Sequence, residues 1–540
     1  MGSIAAAVDE VHADDSRRAA FVRDPAGVVS AGPAAAILLC ALACAVGGCS
    51  EEEESVGGVQ SALPTEDSPP SGRGDAPADD PDLPPQKSEG GADGAGDAAG
   101  DDARADAAEA AAASDDPAAA PAPDGPRVYA KARFTWIRSA PNTDNQWIGY
   151  LWTGGSVPLR EGSPVPGQGC KKSWYPIEPR GWVCVDDRRA TLDPDDPVVR
   201  AVAPYRAKLD LPWPHRYAAV PRTIRRHALL PGPGPQPFPE LPRGLQEGRL
   251  QMRDRSTLAY VDEVQRGDRT FLLAADMSWV DKSVVELYDQ VEFQGLRLEG
   301  DVQLPLAFFK GEDRPGYRPT EDGTFVRTET MFPRLSWVKL TGESRKDGRE
   351  TYYETVRDGL WVRRGGAVVP TPRKETPWGA PVGEPDETGQ APRGRGTWLE
   401  VSVLEGWLVA FEGTRPVYVT LTSSGRGGTP HGDRDPVETA STPTGTFGIN
   451  GKFATATMES PVKIVHSDVP WTQNFSGPHA LHGAYWHDNW GSVMSAGCIN
   501  LSPRDARWLY EFTEPPVPPG WHAVRHVPRY GAQTRLIVHE

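Results

Sequence analysis

Several features are scarce in this sequence, and each scarcity excludes something. Residues 34–46 are an apolar run, but the run is shorter than the roughly 20 residues that a membrane-spanning helix needs. Residues 51–126 contain no aromatic residue, so they cannot bury enough apolar surface to offset the entropy cost of ordering. Residues 201–395 carry no metal-binding or nucleotide-binding motif. The 540 residues include only six cysteines, so the state of each is informative.

The negative charge of the chain is concentrated in one segment. The formal net charge is −17, and residues 51–126 alone hold 20 acidic and 3 basic residues. Residues 127–540 are therefore close to neutral, which removes any electrostatic argument for a nucleic-acid partner. Together with its alanine, aspartate, glycine and proline content, this charge predicts a disordered linker over residues 50–126.

The amino-terminal residues are typical of an exported lipoprotein. Three arginines precede the apolar run, which suits a signal-peptide core. The stretch Val46-Gly47-Gly48-Cys49 then resembles a bacterial lipobox. We therefore predict a lipoprotein signal peptide over residues 1–49 and a lipid on Cys49. The lipid would anchor an exported, periplasmic protein to a membrane, for which the outer membrane is favoured. An ordinary signal peptide is the alternative.

The cysteine count leaves one free thiol. Cys170 and Cys184 are fourteen residues apart, and a disulfide between them is expected in an oxidising compartment. Cys498 then has no partner, since the other three lie in the predicted leader: Cys40, Cys44 and Cys49. An unpaired cysteine in an exported protein suggests a nucleophile, although a buried inert cysteine is the alternative.

The residues around Cys498 support the nucleophile. They read Ser495-Ala496-Gly497-Cys498-Ile499-Asn500, and His482-Gly483 lies sixteen positions upstream. A thiolate forms beside a base or cation, and flanking strands can bring His482 next to Cys498. The small residues before Cys498 let an acyl group approach the backbone, whose N–H groups at Gly497 and Cys498 can stabilise an oxyanion.

These motifs resemble the L,D-transpeptidase catalytic domain, the YkuD-like family, whose signature is His-Gly, a variable loop, then Ser-His-Gly-Cys. Two alternating segments upstream look like paired strands, and two polar motifs follow them: 398–401, 407–411, 423–426 and 442–447. The resemblance covers residues 396–530 and leaves 531–540 as a tail. Ala496 departs from it, since the family usually has histidine there.

The resemblance implies a mainly β fold: a β-sandwich catalytic domain with a short helix after the nucleophile. Ser502 is suited to cap that helix, with Pro503 in its first turn. It also implies that Cys498 attacks the third residue of a peptidoglycan tetrapeptide stem with His482 as base, without cofactor or metal. Residues expected to order the loop or bind substrate are Ser495, Asn500, Tyr485, His487, Thr444 and Phe447.

The acceptor is not set by the sequence. A stem-peptide amine gives a 3→3 crosslink, a lysine of an outer-membrane protein gives anchoring, and water gives an L,D-carboxypeptidase. The sequence is also compatible with a cell-wall-binding lipoprotein whose catalytic domain has decayed, with a cysteine peptidase, and with His487 as the base. A zinc site of His482, His487 and Cys498 would lack a fourth ligand.

The residues between the linker and the catalytic region read as β modules. Residues 127–200 contain short alternating segments and turns, and they look like a bacterial SH3-like barrel in which Trp174 and Trp182 pack in the core. Residues 201–395 contain strand-like pieces between proline-rich stretches. They predict a β-rich middle domain, with one or two further SH3-like modules and no assignable role.

Overall fold

The computed structural model describes residues 125–238, 251–392, 394–460 and 463–540. The predicted leader with Cys49, and the linker up to residue 124, lie outside these residues. The described part is mainly β with short helices, so the predicted fold class is confirmed. No helix in the described ranges combines the length and apolar character needed to cross a bilayer.

Residues 127–205 form seven strands and a short helix. The helix α1 (Pro197–Val202) begins where the Asp196 side chain accepts the N–H groups of Val198 and Val199. A disulfide joins Cys170 and Cys184. The strands are β1 (Arg127–Ala130), β2 (Phe134–Arg138), β3 (Trp147–Trp152), β4 (Ser156–Pro158), β5 (Ser173–Pro176), β6 (Trp182–Val185) and β7 (Ala190–Thr191).

Two groups of strands follow between residues 216 and 368. The first group is β8 (Arg216–Val220), β9 (Ile224–Arg225), β10 (Gln251–Met252), β11 (Ser256–Arg266), β12 (Arg269–Ala274), β13 (Trp279–Asp281), β14 (Glu286–Leu287) and β15 (Leu296–Arg297). The second group, the 306–368 module, contains β16 (Leu306–Phe309), β17 (Arg314–Pro319), β18 (Phe325–Phe332), β19 (Trp337–Asp347), β20 (Glu350–Thr355), β21 (Trp361–Arg363) and β22 (Ala367–Val368). The module forms a seven-stranded sheet in the order β18-β17-β21-β20-β19-β16-β22.

The remaining residues form a two-layer sandwich. Its elements are β23 (Thr397–Ser402), β24 (Trp407–Glu412), β25 (Arg415–Leu421), α2 (Pro436–Thr439), β26 (Gly445–Gly448), β27 (Gly451–Glu459), β28 (Val465–Ser476), β29 (His479–Gly483), β30 (Ile499–Leu501), α3 (Pro503–Phe512), β31 (Ala523–Arg525) and β32 (Arg535–His539). One layer is a six-stranded sheet in the order β15-β25-β24-β23-β32-β26. The other contains β27 to β30 within a larger sheet that continues to β11 and, through β31, to β3.

Both faces of the six-stranded sheet are buried, which explains why β23 is buried along its whole length and β24 up to its last residue. One face packs on the second layer and helix α3, with Leu399, Leu408, Leu481, Ile499 and Leu509 in the shared core. The opposite face packs on the 306–368 module, through Trp398, Trp407 and Phe411 against Leu306, Phe308 and Val368. The module is thereby fixed to the sandwich by apolar packing.

The residues predicted to be a carboxy-terminal tail are part of the sandwich. Strand β32 runs parallel to β23, with Leu399 opposite Leu536. Leu536 and Val538 are buried in the core between the layers. The prediction of a tail over 531–540 is wrong, because the alternation of Leu536 and Val538 places both in the core.

Lys452 gives the fold a pH dependence. The side chain is fully buried, and its Nζ donates to the Thr513 carbonyl oxygen at 2.6 Å. Burial lowers the pKa of Lys452 from 10.5 to about 7. Between these pH values the unfolded chain binds a proton that the folded chain does not, so stability should rise with pH by roughly 1.4 kcal/mol per unit.

The expected difference is measured by urea unfolding of wild type and Lys452→Met from pH 7 to pH 10. Unfolding of the wild type should shift to higher urea as pH rises, relative to the variant. Parallel pH dependences in the two proteins would show that Lys452 is already protonated in the folded state.

Candidate active site

Adjacent strands of the second layer carry the predicted nucleophile and base. β29 and β30 run parallel, with His482 opposite Asn500. Cys498 directly precedes β30, two residues before Asn500. Side chains two apart on a strand share a face, so Cys498, Asn500 and His482 are directed to the same side of the sheet. Helix α3 follows, with the Ser502 side chain accepting the Asp505 N–H as its cap, as predicted.

The Cys498 thiol is enclosed. The residue is 1% exposed, and it is the free cysteine of the described residues. Its Sγ lies 4.0 Å from the Pro478 carbonyl oxygen. Burial raises the pKa of the thiol from 9.0 to about 12, although the Ala480 N–H opposes this. In this conformation the thiol is neutral at pH 7.

The His482 ring is oriented by a backbone carbonyl. Its Nδ1 lies 3.4 Å from the Gly483 carbonyl oxygen, which can only accept, so Nδ1 carries the proton. The basic nitrogen is then Nε2, which makes no hydrogen bond within the described part of the chain. Burial lowers the pKa of His482 to about 3, so the ring is neutral at pH 7. Sequence reasoning used Gly483 as part of the motif and missed its carbonyl.

Both ring nitrogens of His487 are engaged. Nδ1 accepts the Asn489 N–H at 3.3 Å, so the neutral ring carries its proton on Nε2, which lies 3.0 Å from the side-chain amide of Asn500. Burial lowers its pKa to about 4. A general base needs a free nitrogen, so this arrangement favours His482 over His487 as the partner of Cys498.

The structure does not gather the residues of the alternative zinc site. The close group of potential metal ligands within the described ranges is Cys170, Cys184 and Asp186. The two sulfurs of that group are joined in the disulfide, so they are not thiolates that could bind zinc.

Two hydroxyl groups order the turn before the nucleophile. Ser495 Oγ donates to the Cys498 carbonyl at 2.5 Å and accepts the Gly497 N–H at 3.0 Å. Thr442 Oγ1 donates to the Gly497 carbonyl at 2.9 Å and accepts the Gly425 N–H at 2.8 Å. The Gly497 N–H is therefore occupied in this conformation, whereas the Cys498 N–H stays a predicted oxyanion donor.

The other predicted substrate-binding residues lie in different environments. Tyr485 is fully buried, with its ring 3.7 Å from that of Tyr217 and its hydroxyl 2.6 Å from Thr257 Oγ1. Thr444 is exposed, and Phe447 packs partly on the sandwich core. The structure also places Thr442 against the turn before the nucleophile. Sequence reasoning missed this residue, although it belongs to the same 442–447 motif as Thr444.

An open groove of about 730 Å³ borders the His487 ring. One wall is Tyr485–Asp488, from the loop between β29 and β30, and it includes the His487 ring. The other walls are residues 288–294, and Arg334 with Leu335 of the 306–368 module. Residues outside the predicted catalytic domain therefore build much of the approach to His487, and no sequence motif marked them.

Gly497 offers a direct test of how tightly the turn is built. Its φ is +127°, and a Cβ there would lie 2.8 Å from His479 Nε2 and 2.9 Å from the Ser441 carbonyl oxygen. Gly497→Ala should therefore lower the free energy of unfolding by about 1–3 kcal/mol and displace the thiol. Thermal melting and Cys498 alkylation, compared with Gly477→Ala at an open site that also has positive φ, check this. Equal effects of the two substitutions would show that the turn tolerates a side chain.

Comparison with known proteins gives a family match for part of the chain. Residues 396–520 match the family described as the L,D-transpeptidase catalytic domain, YkuD. No curated protein matches the chain. Three solved L,D-transpeptidases are similar over part of their length. The one from Xylanimonas cellulosilytica is 22% identical, with 28% of this chain and 63% of that chain covered and a TM-score of 0.18.

The second is a mutant L,D-transpeptidase from Enterococcus faecium, which is 20% identical, with 26% and 49% covered and a TM-score of 0.20. L,D-transpeptidase 3 from Mycobacterium tuberculosis is 15% identical, with 42% and 81% covered and a TM-score of 0.20. This chain thus spans less than two thirds of the length of the first two. The family match confirms the resemblance over residues 396–520, where this chain carries an L,D-transpeptidase catalytic domain of the YkuD family.

Proposed function

We propose that this protein is an L,D-transpeptidase that acts on peptidoglycan stem peptides through a thioester on Cys498. The observation that carries the proposal is the pairing of β29 with β30 inside the matched residues. That pairing puts Cys498 and His482 on one face of the sheet, and the Gly483 carbonyl leaves His482 Nε2 free to accept a proton. The family match supports a transpeptidase-type function.

The protonation states determine how the nucleophile is activated. With a thiol pKa of about 12 and an imidazole pKa of about 3, both groups are neutral at pH 7. His482 Nε2 therefore takes the thiol proton as Sγ attacks the carbonyl carbon of the third stem residue, rather than beforehand. The bond from that carbon to the nitrogen of D-alanine breaks, the imidazolium returns the proton to that nitrogen, and a thioester remains.

The second half of the reaction regenerates the thiol. An amine attacks the thioester carbonyl, its proton passes to His482 Nε2 and then to the departing Sγ, and a new amide bond forms. We propose an amine of a second stem peptide or of an outer-membrane protein as the acceptor, with water as the hydrolytic alternative. Export and the lipid on Cys49 belong to this proposal, because they would place the enzyme at the cell wall.

One observation favours a second candidate. Cys498 is 1% exposed, which also fits a cell-wall-binding lipoprotein whose catalytic domain is inactive. Incubation of the purified full chain with disaccharide-tetrapeptide, followed by mass spectrometry of the products, separates the candidates. A dimer that has lost one D-alanine shows crosslinking, and a tripeptide alone shows carboxypeptidase activity. Substrate returned unchanged by a folded protein that binds cell wall supports the second candidate.

The protein acceptor is tested in the same reaction. A lysine-containing peptide is added with the disaccharide-tetrapeptide, and an N-acetylated-lysine version of it is the control. A stem-peptide conjugate that forms with the lysine peptide and not with its acetylated version would establish anchoring. Stem-peptide dimers without any conjugate would restrict the acceptor to stem peptides.

A further inference from the structure

The loop that carries His487 is held on one side by the catalytic sandwich. We call residues 484–498, between β29 and β30, the active-site loop. The Gly491 N–H donates to the Thr422 carbonyl at 3.0 Å, and Ser423 Oγ donates to the Asn489 carbonyl at 2.7 Å. These contacts follow the end of β25, so one edge of the loop is fixed within the matched domain.

The other edge of the loop is held by the 306–368 module. Arg334 Nη1 lies 3.0 Å from Asp488 Oδ2, and its Nη2 donates to the Asp488 carbonyl at 2.7 Å. Lys310 Nζ donates to the Gly491 carbonyl. The two cations thus hold the loop on either side of Trp490, whose ring is fully buried in the cluster that also contains Leu335.

The contacts of Arg334 and Lys310 with the loop are of kinds that contribute little to the stability of a fold. An exposed ion pair contributes little stability, and Asp488 is half exposed. Lys310 is partly buried, burial lowers its pKa, and its contact is a neutral carbonyl. Such contacts contribute more to fixing a position than to overall stability, and the apolar packing of the module on the sandwich already supplies a rigid platform.

The loop position reaches the nucleophile through His487. Its ring contacts Asn500, on the same strand face as Cys498, and the loop ends in the turn held by Ser495. Arg334 and the His487 ring line the same groove. A shift of the loop at Asp488 would therefore move His487 and the turn that ends at Cys498.

We propose that the 306–368 module contributes to the active site, in which Arg334 and Lys310 are positioning residues. They hold the active-site loop and, through it, the turn that carries Cys498. This assigns a role to a region that has no sequence motif. The activity readout below rests on the proposed function, whereas the labelling and exchange readouts do not.

The test compares Arg334→Ala and Lys310→Met, singly and together, with wild type as the full chain. Arg363→Ala is the matched control, because it removes an exposed ion pair to Glu350 in the same module and does not contact the loop. Iodoacetamide labelling is followed on the Cys498 peptide by mass spectrometry, together with hydrogen exchange of residues 484–495 and thermal melting. Arg334→Lys keeps the charge but removes the guanidinium group, whose two nitrogens contact both the carboxylate and the carbonyl of Asp488. It tests whether both contacts are needed.

In the double variant we expect Cys498 labelling to become about tenfold faster, with faster exchange confined to the loop. We expect kcat to fall about tenfold or more, because misplaced reacting groups lose rate, with a smaller change in KM. Arg363→Ala should resemble wild type in labelling, exchange and kcat. Arg334→Lys should give values between those of wild type and those of the double variant.

The outcomes distinguish this proposal from the proposed function. Altered labelling and exchange without turnover in any variant would support the positioning role and count against transpeptidase activity. Unchanged labelling and loop exchange in a folded double variant would overturn the positioning role even if the wild type is active. If the double variant does not fold, the same readouts on Arg334→Lys and Lys310→Met decide.

Discussion

Cys498→Ala is expected to abolish turnover of a peptidoglycan tetrapeptide, with a loss of about 10⁶-fold when the nucleophile is removed. The reason is that Cys498 is the free thiol of the described residues and shares a face of the sheet with His482, whose Nε2 is free to take its proton. Alanine removes the sulfur on which the thioester forms. Release of D-alanine, measured by mass spectrometry, checks the expectation.

Cys498→Ser is the control for shape, because it changes one atom. The hydroxyl is a much weaker nucleophile beside a neutral imidazole, so this variant should also lose most activity while melting like wild type. Turnover by Cys498→Ala at more than about a hundredth of the wild-type rate would show that a different group is the nucleophile that becomes acylated.

His482→Gln should lower turnover by about 10²–10⁴-fold, the usual contribution of a general base. His487→Gln should cost about tenfold, because glutamine can still contact Asn500 and this ring has no free nitrogen for the thiol. Stopped-flow rates for each variant at pH 7 check the order. A larger loss for His487→Gln than for His482→Gln would make His487 the base.

The pH dependence of Cys498 alkylation tests the same pair without substrate. The pKa of the thiol is raised, so its thiolate fraction should rise about tenfold per pH unit from pH 7 to pH 10 without a plateau. His482→Gln should leave that slope unchanged, because a neutral imidazole does not form an ion pair with the thiolate. A plateau near pH 7 that disappears in the variant would reveal a thiolate–imidazolium pair instead.

Local chemistry accounts for what the sequence predicted well. Helix α3 was predictable because Ser502 and Pro503 act within one turn of chain. The strands β23 and β24 were predictable from apolar residues at short spacing. The family resemblance rested on His482-Gly483 and the turn at Cys498, which are close together in the chain.

What the sequence did not predict depends on contacts between distant residues. The stacking of Tyr485 on Tyr217, which lies far earlier in the chain, was not predicted. The bond from Thr442 to the Gly497 carbonyl was not predicted either, because it joins two segments that are far apart in the chain. Arg334 carries no motif, since its contact with Asp488 exists only once the 306–368 module has packed on the sandwich.

The most direct test of the central claim is the intact mass of the full chain after incubation with disaccharide-tetrapeptide, for wild type beside Cys498→Ala. We predict a mass increase on the wild type equal to the substrate less D-alanine, mapped to the Cys498 peptide and absent from the variant. The same adduct on both proteins, or release of D-alanine by Cys498→Ala at the wild-type rate, would contradict a thioester on Cys498.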